Sequence, residues 1–107
     1  MKILLDESLP RKLRFDFEDD HEVRTVRDMG WLGKKNGELL KLMTENNFGL
    51  FVTVDRNLPY QQNLERFKLT NFVLRAKDNT RNTLRLLVPK IFERLAEGNL
   101  RNFIEIF

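Results

Sequence analysis

Short apolar runs alternate with stretches in which apolar residues recur every three or four positions, the pattern of β-α units around a parallel sheet. Lys2-Ile3-Leu4-Leu5 opens the chain as a first strand. Leu9, Leu13 and Phe17 then recur at helical spacing, and Pro10 sits where a helix start tolerates a missing N–H. A first helix is therefore expected, ending in the acidic patch Glu18-Asp19-Asp20. Val23 and Val26 mark a short second strand over residues 21–26, which leads to Asp28-Met29-Gly30-Trp31. The loop Gly33-Lys34-Lys35-Asn36-Gly37 precedes a helix striped by Leu39, Leu40, Leu42 and Met43, with Asn36 as its expected N-cap and Asn46-Asn47 as its stop.

Leu50-Phe51-Val52-Thr53-Val54 predicts a third strand. Asn57 then caps an expected helix whose core side is Leu58, Leu64 and Phe67, with Pro59 in its first turn. Residues 71–75 form the fourth strand. Leu84, Leu87, Val88, Ile91 and Leu95 keep helical spacing across Pro89, which predicts one kinked helix or two abutting ones, stopped at Gly98. Phe103, Ile104, Ile106 and Phe107 supply a last strand. No repeat, linker or low-complexity tract interrupts the pattern. Residues 1–107 read as a single domain, an α/β sandwich of about five strands, mainly parallel, with helices on both faces.

Two of the apolar runs end in an aspartate and lead at once toward a helix: Asp6 closes the first and Asp55 the third. If those strands are parallel neighbours, the two carboxylates lie side by side at the edge where open α/β sheets bind ligands. Paired carboxylates at close range need a cation or a shared proton, and two hard oxygen ligands suit Mg²⁺ or Mn²⁺. The competing role is a turn or helix cap, in which the side chain accepts from free backbone N–H groups. Glu38, in the first turn of its helix, faces the same edge as a third carboxylate; the alternative is a favourable charge at a positive helix end, worth about 0.3–1 kcal/mol. Asp78 follows the fourth strand and is a fourth candidate ligand, or else part of a polar turn.

Composition removes several chemistries. The chain has no cysteine, so disulfides, thiolate zinc sites and cysteine nucleophiles are out. Its one histidine, His21, falls at the start of a strand on the opposite edge, which excludes a Ser-His-Asp triad. The five glycines form no phosphate-binding loop. There is no leader-like N-terminus and no apolar run near about 18 residues, so a cytoplasmic location without membrane association is expected. A net charge of +3 and a pI near 9.4 lean toward a polyanionic partner, although a solvated surface explains them equally well. Lys34, Lys35 and Arg56 are candidate nucleic-acid contacts. So is the amide-rich run Tyr60-Gln61-Gln62-Asn63, where Tyr60 offers a stacking surface; the bland alternative is a polar helix face.

The stretches Ile3-Leu4-Leu5-Asp6-Glu7-Ser8-Leu9-Pro10, His21-Glu22-Val23 with Asp28-Met29-Gly30, Asn36-Gly37-Glu38-Leu39-Leu40, and Phe51-Val52-Thr53-Val54-Asp55-Arg56-Asn57-Leu58 run in that order. Over roughly its first two-thirds the chain thereby resembles the compact bacterial PIN-like proteins often encoded in toxin–antitoxin-like pairs. The resemblance implies a Rossmann-like three-layer fold with the first strand central, and a metal-dependent endoribonuclease site. In that site Asp6 and Asp55 are Mg²⁺ or Mn²⁺ ligands and Glu38 the helix carboxylate. RNA is the implied substrate and a small antitoxin-like protein a partner, and the apolar C-terminal tail permits a homodimer. The chain departs from its relatives at Asn36 and Asn57, where they often carry acids. Each change removes a negative charge, and a decayed RNA- or protein-binding module is the alternative.

Overall fold

All five apolar runs become strands in the computed structural model, which describes residues 1–17, 21–58 and 62–107. These are β1 (Lys2–Leu5), β2 (Glu22–Thr25), β3 (Leu50–Thr53), β4 (Thr70–Leu74) and β5 (Phe103–Ile106). They form one sheet in the order β2-β1-β3-β4-β5, and every pair is parallel. The chain leaves β1 toward β2 on one side, then recrosses to β3 and continues outward to β5. Strand order thus reverses between β1 and β3, and a reversal of this kind opens a crevice beyond the carboxyl ends of the two strands. The register there pairs Leu5 with Val52.

Successive strand side chains point to opposite faces, and the sheet buries both. Ile3, Leu5, Leu50, Val52, Phe72, Leu74, Ile104 and Ile106 belong to one buried cluster, together with Leu13, Leu84, Val88 and Ile91. Leu4 and Phe51 face the other cluster, with Leu39, Leu40 and Met43 of helix α1 (Asn36–Glu45). Helical segments therefore cover both faces, as the alternation of apolar runs and stripes predicts.

Three local expectations change. Leu9, Leu13 and Phe17 are all buried, but the segment is a 3-10 helix, Arg11–Asp16, and Phe17 is already extended at φ −88°, ψ 152°. Residues 18–20, where the acidic patch falls, lie outside the described residues. Asn36 does not cap α1: Lys35 holds that position with no side-chain bond, and Asn36 is inside the first turn. Beyond β3, no single helix runs from Leu58 to Phe67, because Asn63 accepts from the Glu65 N–H and starts a separate 3-10 turn, Leu64–Arg66. Pro59 lies outside the described residues.

The stretch around Pro89 resolves into two abutting helices, α2 (Arg81–Leu84) and α3 (Val88–Glu97), with the proline in the first turn of α3. Gly98 ends α3 at φ 75°, ψ −155°, a region open essentially to glycine. No helix among the described residues is long and apolar enough to cross a membrane.

Candidate active site

β1 and β3 end side by side, so the residues just beyond Leu5 and Thr53 share the crevice of the strand-order reversal. Asp6 continues the ladder by one bond, its N–H donating to the Val52 carbonyl at 2.9 Å. Its side chain falls on the face of Leu4 and Phe51, the face covered by α1. Thr53 and Asp55 follow the same alternation on β3 and lie on that face too.

Thr53 joins the two carboxylate residues. Its hydroxyl donates to Asp6 Oδ2 at 2.8 Å and accepts the backbone N–H of Asp55 at 3.1 Å. The side chain is only 1% exposed, so this link is shielded from water. Asp6 also accepts from the Glu7 N–H through Oδ1 at 2.9 Å and from the Ser8 hydroxyl through Oδ2 at 2.8 Å. Asp55 accepts from the Asn57 N–H through Oδ1 at 2.9 Å and from the Asn36 side-chain amide through Oδ2 at 3.2 Å. Asp55 thus closes a turn on the Asn57 N–H, while the first turn of the helix that Asn57 is expected to cap lies outside the described residues. Asn36, at the start of α1, reaches across 19 residues of sequence to the strand-end carboxylate.

Other carboxylates are engaged elsewhere. Glu38 pairs with Lys34 one turn earlier at 3.2 Å and stays exposed. Asp78 accepts the Thr80 N–H at 3.1 Å and the Thr80 hydroxyl at 2.7 Å. Those bonds, the Thr80 hydroxyl first, hold its carboxyl below the usual carboxylate range. Asp28 turns back on its own strand, accepting the Thr25 N–H at 2.9 Å, and that bond is the main cause of its lowered pKa. Among the described residues no three His, Cys, Asp or Glu side chains are gathered as a metal would need. Among the described residues Asp6 and Asp55 are linked through the Thr53 hydroxyl, which bonds the Asp6 carboxylate and the Asp55 backbone N–H.

Lys34, Lys35 and Arg56 are exposed, Lys34 being tied to Glu38. Tyr60 and Gln61 lie outside the described residues. At the opposite end of the sheet His21 stacks on Phe92, with ring centroids 5.0 Å apart.

Thr53 is the residue that the sequence reading passed over. The available signal was its place two residues before Asp55 on the same strand face, in a run otherwise apolar. Comparison with family models, with curated proteins and with solved structures finds no match to this chain.

Proposed function

We propose that the chain is a metal-dependent endoribonuclease of the toxin type, a cytoplasmic PIN-like domain that hydrolyses RNA at a site built on Asp6 and Asp55. The observation that carries this reading is the Thr53 hydroxyl, which ties together the two strand-end carboxylate residues where strand order reverses.

The donor set fits a hard divalent cation. A carboxylate oxygen has room for about two partners. Among the described residues, Asp6 Oδ1 and both Asp55 oxygens accept a single hydrogen bond each, which leaves room for Mg²⁺ or Mn²⁺. Asn36 adds a side-chain amide whose nitrogen donates to Asp55 Oδ2 and whose oxygen is a further neutral donor atom for a cation. Glu38 is held by one exposed ion pair, worth about 0.2–1 kcal/mol, so little resists its turning toward the edge as a third carboxylate. A divalent cation bound here supplies a Lewis acid and positive charge for a phosphodiester. The chain's own share is positional: Thr53 and Ser8 fix the Asp6 carboxylate, and the Asn57 N–H fixes that of Asp55.

A catalytically decayed binding module is the second reading. It is favoured by the hydrogen bonds that all four oxygens of Asp6 and Asp55 already accept from the chain itself, and by Asn36 standing against Asp55.

The test incubates purified protein with single-stranded RNA and Mn²⁺ or Mg²⁺ and follows melting temperature in parallel. Cleavage and a metal-dependent rise in melting temperature, both lost in Asp6→Asn and Asp55→Asn variants that stay folded, support the nuclease. RNA binding without cleavage or metal stabilisation selects the module instead.

A further inference from the structure

A cavity of about 210 Å³ opens beside the Asp6 carboxylate, between the ends of β1 and β2, and its walls carry two arginines. Arg11 and Arg27 line it with Leu9, Pro10 and Leu32, while Asp6 and Glu7 supply its acidic side. Neither arginine has an ion-pair or side-chain hydrogen-bond partner among the described residues. Leu32 is 45% exposed, an apolar wall left open to solvent. Arg11 belongs at the same time to a second, more open hollow of about 350 Å³, lined by Lys12, Arg14 and Phe15. Phe15 is 64% exposed, a large ring with no apolar cover.

Both hollows lie along the 3-10 helix Arg11–Asp16, which is pinned at two points. Asp16 takes a forked pair of bonds from Arg81, at 2.9 and 3.2 Å, and Arg14 reaches Asp28 at 3.3 Å. The segment therefore presents its cations on a fixed backbone. Arg11, Lys12 and Arg27, together with apolar walls and the exposed Phe15 ring, over which the Arg14 guanidinium lies 4.9 Å from the centroid, have the chemistry of a single-stranded nucleic-acid channel: cations for successive phosphates, a ring face for a base.

We infer that single-stranded RNA enters along this 3-10 helix, with Arg11 and Arg27 holding phosphates beside Asp6 and Phe15 stacking a base. This track lies on the β1–β2 side of Asp6. It rests on the RNA reading of the Asp6–Asp55 edge but needs no catalysis.

The experiment measures fluorescence anisotropy of a labelled oligouridylate with the full chain in EDTA across a salt series, and separately its cleavage in Mn²⁺. Arg11→Ala and Arg27→Ala are expected to weaken binding about tenfold each and to flatten the log–log salt slope by about 0.7. Phe15→Ala weakens it about tenfold with the slope unchanged, whereas Lys41→Ala, on α1, moves the affinity far less than any of the three. Failure of the wild-type chain to bind in EDTA overturns the inference, as does binding that the three substitutions leave at the wild-type level. Binding lost in those variants, with no cleavage by the wild type in Mn²⁺, sustains the track and removes the nuclease.

Discussion

Thr53 donates its hydroxyl to Asp6 across the β1–β3 boundary at 2.8 Å while accepting the N–H of Asp55 at 3.1 Å, so one buried oxygen sets the spacing of two carboxylate residues 49 positions apart. Thr53→Val keeps the shape and removes both bonds. The Asp55 N–H then loses its acceptor and Asp6 one of its donors, a loss of about 1–3 kcal/mol that Thr53→Ser largely avoids. Urea denaturation of the three proteins checks this, and equal midpoints for all three would sink it.

Asn36 and Asp55 make the edge sensitive to one added charge. In Asn36→Asp a second carboxylate replaces the amide donor now 3.2 Å from Asp55 Oδ2, with a like-charge cost of about 1 kcal/mol at the solvent-facing edge. The variant should melt below wild type in EDTA and, if the edge binds a cation, gain more than wild type on adding Mn²⁺. Identical Mn²⁺ responses would argue against a cation site at Asp55.

Asp28 makes part of the stability depend on acid. Its folded pKa is depressed, chiefly by the Thr25 N–H and with help from the Thr25 hydroxyl and Arg14, so its contribution is fully present above the unfolded value near 3.9. That contribution drains away as pH falls through the lower folded value. Asp28→Asn should therefore show a shallower loss of melting temperature than wild type below about pH 4. Parallel acid limbs in a melting-temperature series would contradict it.

Gly98 carries a conformational requirement without a steric one. A Cβ built there meets nothing within 4 Å, yet φ is +75° with ψ −155°. Gly98→Ala should destabilise by about 1–3 kcal/mol through backbone strain alone, seen as a lower denaturation midpoint. An unchanged midpoint would mean that the turn after α3 relaxes freely.

What the sequence made legible follows from what each residue has to satisfy. Ile3 to Leu5 and Leu50 to Val52 are buried on both faces, and an unbroken apolar run has few other fates, so strands and their parallel pairing could be read directly. Leu9, Leu13 and Phe17 reported burial correctly but not helix type, since a 3-10 turn also buries residues three and four apart. Asn36 was ambiguous for a chemical reason: an asparagine before a helix caps it or bonds elsewhere, and only the arrival of Asp55 decides. Glu38 shares the helix start, but Lys34, four residues earlier, offers the opposite charge and takes it in an ion pair. Thr53 was hidden by its own propensity, because a β-branched residue in a strand asks for no further explanation.

The reversal of strand order also fixes when in the life of the chain its candidate site comes into being. A ribosome that has released only β1 and β2 has delivered Asp6 with nothing opposite it. The neighbour of Asp6 arrives with residues 50–55, about halfway through synthesis, and takes its place only when β3 docks against the far side of β1. Thr53 can reach Asp6 only once β3 pairs with β1, so an incomplete or unpaired chain carries the residues of the site without the site itself.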